Sequence, residues 1–262
     1  AIFSVSISAK EHQTSSLNDR KMDYAQVNQW QFSIGLGLGT KSNPLHGGKS
    51  IPLYIIPSAY YYGQNIFFDN GTLGYTFYES EQLIFSAISH LNTHAANFSR
   101  WHPSNVFVPS SPTFSDPDDK DLGQIGTTDI SDVARRKWAI DGGFQLNYYL
   151  EQSLMIQARW MHDISNIYQG ANGQVKIEKS LLLNQNGKLK LNIWAGVNWH
   201  SKNLVNYYYG LHNNDDIEPE QQYLGKATHD WFFGATLNYQ ITPDWRGVFT
   251  VQSYKLGQGI TD

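Results

Sequence analysis

Charged side chains recur on one face of several segments in which apolar and polar residues alternate. Carboxylates and cations on a shared polar face could line a pore, bind a small solute, or pair across a narrow interior and fill it. In a closed barrel of about twelve strands, side chains can still block the channel, so we favour the filled interior. The candidates for this lumen lining are Asp141, Arg159, Lys190, Asp230 and Arg246, with Lys176 and Glu178.

Two further groups of residues have types that could support catalysis or metal binding. His162 and Ser165 could act as base and nucleophile, as in lipid-hydrolysing barrels, but residues three apart in a strand point to opposite faces. The acidic runs 116–121 and 213–216 offer oxygen ligands for Ca²⁺ or Mg²⁺, yet they lack the glycine and the terminal glutamate of an EF-hand loop. The sequence therefore predicts no catalytic residue, no metal site and no cofactor.

Three consecutive tyrosines, Tyr207, Tyr208 and Tyr209, lie in a long connection between two apolar segments. Tyrosine is a common anchor at interfaces, so these rings could fold over the mouth of a barrel or contact a partner. Aromatic residues also favour strands, so the same rings could continue a strand beyond the membrane. Both alternatives remain open at this point.

The elements that position these residues are predicted to be β-strands, because their side chains alternate with a period of two. In residues 188–199, Leu189, Leu191 and Ile193 share one face, and Lys190 and Asn192 share the other. The pattern recurs in residues 30–38, 138–150, 154–160, 231–239 and 245–251. A soluble sandwich also alternates, so other features must distinguish the two classes.

Tryptophans and tyrosines fall at the ends of these segments. If the strands run up and down, one rim carries Trp138, Trp160, Trp199 and Trp231, and the other carries Trp30, Tyr239 and Trp245. Two levels of amphipathic rings are typical of the aromatic belts of transmembrane barrels. The position of these rings therefore favours the membrane.

The connections between the segments differ in length on the two sides. Those on one side are short, near residues 79–81, 151–152, 184–187 and 242–244, whereas residues 92–135 and 200–228 form long connections on the other. Bacterial outer-membrane barrels have short periplasmic turns and longer external loops. We therefore place the short connections in the periplasm and the long ones outside the cell.

The composition excludes several other classes of protein. A hydrophobic content of 40% and a mean hydropathy of −0.44 do not suit helical membrane spans, which need about 20 consecutive apolar residues. The chain has no cysteine, which excludes disulfides and thiol chemistry, and its net charge of −4 offers no basic surface for nucleic acid. Aromatic residues make up 14% of the 262 residues, a length that suits one barrel.

The amino terminus has two interpretations. Residues 1–8 resemble the tail of a signal peptide, with Ser6 and Ser8 as the small residues before a cleavage site, but they could also form a short first strand. Residues 9–28 are then a periplasmic segment, and residues 29–262 are the barrel.

Eleven strands are predicted in residues 29–41, 50–62, 64–69, 71–79, 82–91, 136–149, 153–163, 170–183, 187–199, 228–240 and 244–256. A closed bacterial barrel needs an even number of strands, so we expect a twelfth beyond Asp262. The least certain boundary is the hairpin signal at Asn70 and Gly71, where a single bulged strand over residues 66–77 is the alternative.

Four segments resemble the MipA/OmpV family of outer-membrane proteins. They are FSIGLGLG at 32–39, the aromatic run at 51–77, the Trp-x-Ser and Tyr-Tyr-Tyr-Gly region at 194–215, and ITPDWRGVFTVQSYKLGQGITD at 241–262. Residues 100–135 depart from the family pattern because this segment is longer. The resemblance therefore does not extend to a family function that depends on that loop.

The resemblance implies a transmembrane antiparallel up-and-down β-barrel in the outer membrane of a Gram-negative bacterium, surrounded by lipid and lipopolysaccharide. Family members are described as scaffolds that bring a lytic transglycosylase and a penicillin-binding protein together at the murein, and others as adhesins or porin-like barrels. We therefore expect a non-enzymatic scaffold, with a small-solute channel or a surface adhesin as the alternatives.

Overall fold

A computed structural model of the chain describes residues 2–7, 27–43, 45, 48, 50–99, 102–105, 133–212, 215, 222–242 and 245–261. Twelve antiparallel strands in these ranges run up and down in the order of the sequence. They are β1 (Ile2–Ile7), β2 (Trp30–Lys41), β3 (Ile51–Tyr62), β4 (Ile66–Asp69), β5 (Thr72–Glu79), β6 (Leu83–Leu91), β7 (Ile140–Glu151), β8 (Leu154–Asp163), β9 (Ala171–Leu182), β10 (Leu189–His200), β11 (Thr228–Gln240) and β12 (Trp245–Lys255).

The strands β2 to β12 correspond to the eleven that the sequence predicts, and by themselves they would leave β2 and β12 as open edges. The backbone of β1 lies between these edges and closes the barrel, with Ile2 aligned to Thr250 and Phe3 aligned to Leu38. We expected a strand beyond Asp262 at this place, whereas the structure has the short first strand there. This pairing satisfies backbone groups of β2 over residues 34–38 and of β12 over residues 245–250. Removal of residues 1–8 with a signal peptide stays a prediction.

The alternation of side chains in the sequence corresponds to the two faces of the wall. Phe233 of β11 points outward and is 64% exposed, whereas its neighbour Phe232 points inward and is 4% exposed. On β2, Phe32 and Leu38 are exposed while Gly35 is buried. An apolar outer surface of this extent suits contact with hydrocarbon.

The tryptophans lie at the levels that the sequence predicts. Gly173 of β9 aligns with Trp160 of β8 on one side and with Trp199 of β10 on the other, so both rings lie near the same rim. At the opposite rim, Trp245 is aligned with Ile7, and the ring of Trp30 lies 5.5 Å from that of Phe68. The former rim, where β2 and β6 end, is called the outer end below.

A two-residue turn separates β4 from β5, as the hairpin signal predicts. Asn70 and Gly71 have φ angles of 45° and 95°, which are the left-handed values of a type I′ turn. The alternative of one bulged strand over residues 66–77 is therefore wrong.

The outer end is closed by folded loops, which we call the cap: residues 92–99, 102–105, 133–139, 164–170, 201–212, 222–227 and 256–261. They contain 3₁₀ turns at Thr93–Asn97 and Pro103–Asn105, and the helices α1 (Lys202–Tyr209) and α2 (Gln258–Thr261). The prediction of a strand from residue 136 is wrong, because β7 begins at Ile140 and residues 134–139 belong to the cap. Residues 106–132 of the first long loop lie outside the described residues.

The largest buried apolar cluster lies in this cap and not in the wall. It comprises Ala95, Ala139, Tyr168, Leu204, Val205, Tyr208 and Ile260. Across the described ranges, every helix falls short of the length and apolar content that a bilayer-spanning helix requires.

Candidate functional site

The lumen is lined by polar side chains that hydrogen-bond in pairs across neighbouring strands. Inward positions on adjacent strands face each other at the same register, which places their short polar groups within bonding distance. The pairs include Thr76 with Ser86, Asn147 with Gln157, Gln174 with Asn198, Ser180 with Asn192 and Thr236 with Thr250, at 2.9–3.1 Å. Paired groups of this kind make the interior rigid and leave few free donors or acceptors for a solute.

Two large rings occupy the lumen beside glycines. Trp194 of β10 is aligned with Gly234 of β11, and Gly196 of β10 is aligned with Phe232 of β11. A Cβ atom on Gly234 would lie 2.5 Å from Cζ2 of Trp194, and one on Gly196 would lie 2.5 Å from Cζ of Phe232. Each ring therefore lies over bare backbone, and both rings are nearly fully buried.

Asp141, a predicted lumen residue, is fully buried at the outer end. Its carboxylate accepts hydrogen bonds from Asn92 Nδ2 at 2.7 Å, from Asn172 Nδ2 at 2.9 Å and from the Tyr168 hydroxyl at 2.6 Å. Burial and the neighbouring charge of Asp141 raise the pKa of Tyr168, so this phenol stays protonated and donates. Asp141 therefore joins the barrel wall to the cap.

Asp230, another predicted lumen residue, lies at the outer end of β11. Its carboxylate lies 2.7 Å from Nε2 of His200 and accepts the backbone N–H of Gly257 at 2.9 Å. His94 of the cap lies edge-on to His200, with ring centres 4.7 Å apart, and bonds to the Tyr209 hydroxyl at 2.7 Å. Burial, together with the adjacent His200, lowers the pKa of His94 to about 3, so this ring is neutral at physiological pH.

The four predicted cations of the lumen lie at different depths. Arg159 donates from Nε to Gln145 Oε1 at 2.7 Å within the lumen, near the paired Lys176 and Glu178. Lys190 and Arg246 lie on inward positions at the inner end and are exposed there. The structure therefore places Arg159 on an inward position next to the Lys176–Glu178 pair and leaves Lys190 and Arg246 apart from them at the inner end.

The three tyrosines belong to helix α1, so the expectation that they continue a strand is wrong. The helix begins at Ser201, whose hydroxyl accepts a hydrogen bond from the N–H of Leu204 as an N-cap. The aromatic composition of the segment does not indicate a helix. Tyr208 is fully buried, while Tyr207 accepts the N–H of Lys137 at 3.0 Å. Tyr208 and Tyr209 therefore pack over the mouth of the barrel, and the buried Tyr208 has no surface to offer a partner.

An ion pair that the sequence analysis missed holds the end of α1. Arg136 contacts both carboxylate oxygens of Asp215 at 3.0 and 3.1 Å, and it donates to the carbonyl of Gly210 at 2.7 Å. Burial acts to raise the pKa of Asp215, but the hydrogen bonds from Arg136 and the backbone outweigh it and hold this pKa below its ordinary value. The carboxylate of Asp215 therefore binds the guanidinium of Arg136 instead of a metal ion. The residues lie 79 positions apart, so no local pattern could reveal the pair.

The candidate catalytic pair does not form in the structure. The Ser165 hydroxyl donates to the Asp163 carboxylate at 2.6 Å, and His162 contacts the backbone carbonyl of Asp163 through Nδ1. Within the described ranges, no three His, Asp or Glu side chains are arranged to hold a metal ion. The acidic run 116–121 lies outside those ranges.

Comparison with known proteins gives one match. Residues 34–262 match the family model described as MltA-interacting protein MipA. This range includes every lumen and cap residue discussed above. Searches of curated proteins and of solved structures gave no match.

Proposed function

Because the chain belongs to the family described as MltA-interacting protein MipA, we propose that it is a structural scaffold in the outer membrane of a Gram-negative bacterium. Its outward face contacts lipid and lipopolysaccharide. Its periplasmic turns bind a lytic transglycosylase and, with it, a penicillin-binding protein. The role is non-enzymatic.

The observation that supports a scaffold over a channel is the filled interior. The rings of Trp194 and Phe232 occupy the lumen, and the cap lies above them with its own apolar core. A pore for solutes needs a continuous water-filled path with groups that bind weakly. Two successive obstructions leave the inner and outer surfaces as the places where a partner can bind.

The periplasmic surface carries charges that suit a specific protein partner. Glu79 and Glu81 are exposed on one turn, whereas Lys188 and Arg246 are exposed on the other side of the rim. Opposite charges on two halves of one surface orient a partner and speed its association.

Capture in intact envelopes tests the partner. We expect reversible crosslinking of the wild-type chain to recover a lytic transglycosylase, and we expect Glu79→Lys together with Glu81→Lys to reduce the yield several-fold. Lys202→Glu, on the exposed outer side of α1, is the matched control and should leave the yield unchanged. Equal recovery with all variants would remove the inner turns from the proposal.

A small-solute channel is the second candidate, favoured by the polar lining and by the exposed Lys190 and Arg246 at the inner end. Recordings from planar bilayers distinguish the two functions. The scaffold predicts no steady conductance from the purified barrel. Steady conductance whose ion selectivity changes in Arg159→Ala would establish the channel instead.

The non-enzymatic role is tested on lipid substrates. Ser165 is the one candidate nucleophile that the sequence offered, and its hydroxyl is held by Asp163 and by the N–H of Ile140. We expect the purified protein to hydrolyse no phospholipid or lipopolysaccharide. Hydrolysis that disappears in Ser165→Ala would overturn this part of the proposal.

A further inference from the structure

Strand β3 is paired along nearly its whole length on one side and only at its inner end on the other. Its register with β2 runs from Ile51 to Tyr61, whereas its register with β4 covers only Tyr60 to Tyr62. The turn at Asn70 ends the ladder, because Asn70 exchanges hydrogen bonds with the backbone of Ala59. Over residues 51–58, about 26 Å of strand, this edge has no strand partner in the described part of the chain.

The backbone groups that face this opening follow from the alternation along the strand. Ala59 directs its N–H and C=O toward Asn70, whereas the Tyr62 carbonyl bonds Asn28 on the side of β2. Ile55 lies on the outward face together with Ala59, so its N–H is directed to the opening. The register shifts next to Tyr54, so this alternation does not extend to Leu53, which faces the lumen. The next residue on the side of Ala59, Pro57, has no N–H to satisfy. An unpaired group in hydrocarbon costs several kcal/mol, so an acceptor is expected beside Ile55.

The side chains around the opening are apolar. Tyr54 and Ile55 are 59% and 61% exposed, while Leu53 is buried against Ile51 and Ile56. Ile55 is aligned with Leu36, which is also exposed on the outer face. The opening thus begins at the lipid-facing surface and is lined by hydrocarbon.

A cation lies at the outer end of the opening. Lys41 is aligned with Ile51, and its ammonium donates to Asn105 Oδ1 at 3.0 Å and to the Ser104 carbonyl at 3.5 Å. These acceptors belong to the loop that follows β6, on the far side of the opening, so the side chain of Lys41 joins its two sides. Among the described residues, Lys41 forms no ion pair.

An unpaired donor lies close to this ammonium. His102 is fully buried, and its Nδ1 accepts the N–H of Ser104. In the neutral ring the proton then resides on Nε2, which has no hydrogen-bond partner among the described residues. Among the described residues, this half-buried ammonium has no carboxylate partner and the buried N–H has no acceptor, and both groups suit an anion.

We propose that this opening binds a phosphorylated acyl lipid of the outer leaflet, with its phosphate at Lys41 and an acyl chain along Ile55 and Ile56. An ester or amide carbonyl of the lipid accepts the N–H of Ile55. A peptide strand fits less well, because Pro57 interrupts the edge and an added strand would leave its own far edge unpaired in hydrocarbon.

Spin labelling tests whether lipid enters the opening, and the absence of native cysteine makes single labels unambiguous. Nitroxides are placed at Ile56→Cys, at the lipid-facing Leu36→Cys and at Ser180→Cys, an inward position on the fully paired strand β9. In vesicles of phosphatidylcholine and lipid A, we expect oxygen to relax the labels at 56 and 36 to a similar degree and the label at 180 several-fold less. A label at 56 that behaves like the one at 180 would show that lipid does not enter the opening. A peptide strand bound along β3 would give this same result, so it too would contradict the proposal.

A second measurement tests the headgroup. Binding of bisphosphorylated lipid A and of its dephosphorylated form to the full chain in detergent is followed by native mass spectrometry. We expect Lys41→Met to weaken the phosphorylated lipid about tenfold and the dephosphorylated lipid hardly at all, while Lys188→Met changes neither. Equal effects on both lipids would show that Lys41 does not bind phosphate.

The inference rests on membrane placement but not on the scaffold role. Failure to capture a transglycosylase would leave both lipid measurements unaffected. Conversely, a closed opening would leave the scaffold proposal intact.

Discussion

At the scale of single residues, buried charges hold the cap in place over the barrel. Asp141 lies on β7 and Asp230 on β11, and each accepts a hydrogen bond from a cap residue. Within the cap, the ion pair of Arg136 and Asp215 holds the end of α1. A buried carboxylate is tolerated only when such partners compensate its lost hydration, so the position of the cap is tightly specified.

Arg136→Ala should destabilise the cap by about 3–5 kcal/mol, because it leaves the buried Asp215 charge without a partner. The expected result is a loss of hydrogen-exchange protection in α1, with protection in β8 and β9 retained. Lys179→Ala removes the partner of Glu151 in an exposed pair and serves as the control. Unchanged exchange in α1 after Arg136→Ala would show that the ion pair does not hold the helix.

His94 should make the stability of the folded chain depend on pH. Its pKa is about 3 in the fold and about 6.5 in an unfolded chain, so only the unfolded chain takes up a proton as pH falls between these values. Stability from this group is complete above pH 6.5 and is lost on acidification, by about 1 kcal/mol for each pH unit down to about pH 3.

Urea unfolding in vesicles at pH 7.5 and pH 5 measures this effect. His94→Gln retains a hydrogen-bonding group but cannot titrate, so it should reduce the difference between the two pH values. His162→Gln, at an exposed position, is the control and should keep the wild-type difference. The interpretation fails if the two variants show the same pH dependence.

At the scale of elements, the strands fit together inside the barrel because large rings lie opposite glycines. Trp194 lies over Gly234 and Phe232 over Gly196, so β10 and β11 each supply one ring and one glycine. This exchange fills the lumen without pushing the two strands apart.

Gly234→Ala should therefore destabilise the barrel by about 1–3 kcal/mol, since its new methyl group would overlap the indole of Trp194. Gly247→Ala is the matched control in β12, because a Cβ there meets its nearest atom at 3.8 Å. Urea unfolding in vesicles compares the two variants. Adding Trp194→Leu to Gly234→Ala should recover part of the loss, and a purely additive double variant would contradict the steric explanation.

At the scale of the whole molecule, the barrel is blocked twice, by rings within the lumen and by the cap above them. The two obstructions are built from different parts of the chain, since Trp194 and Phe232 belong to the wall and α1 belongs to the cap. Each is therefore expected to prevent conduction by itself.

Planar-bilayer recordings on variants test this arrangement. Replacing Lys202–Tyr209 by a Gly-Ser linker should leave the barrel closed, and so should Trp194→Ala with Phe232→Ala. Only the combination of both changes should give steady conductance. Conductance after loss of the helix alone would mean that the rings do not seal the lumen.

The sequence by itself determined eleven of the twelve strands in the wall of this protein. Strand periodicity, the belts of tryptophan and the turn at Asn70 and Gly71 are local signals, because each depends on residues within one or two neighbouring strands. They predicted eleven strands, their faces and the inward position of Asp141, Arg159 and Asp230.

Only the tertiary structure decided what fills and closes the barrel. The pair of Arg136 and Asp215, the contact of His94 with His200, and the fit of Trp194 over Gly234 join residues that are distant in sequence. The tyrosines of α1 favour a strand by composition, yet burial against the cap core makes them helical. Local propensity amounts to a fraction of a kcal/mol per residue, so packing of distant segments overrides it wherever the two disagree.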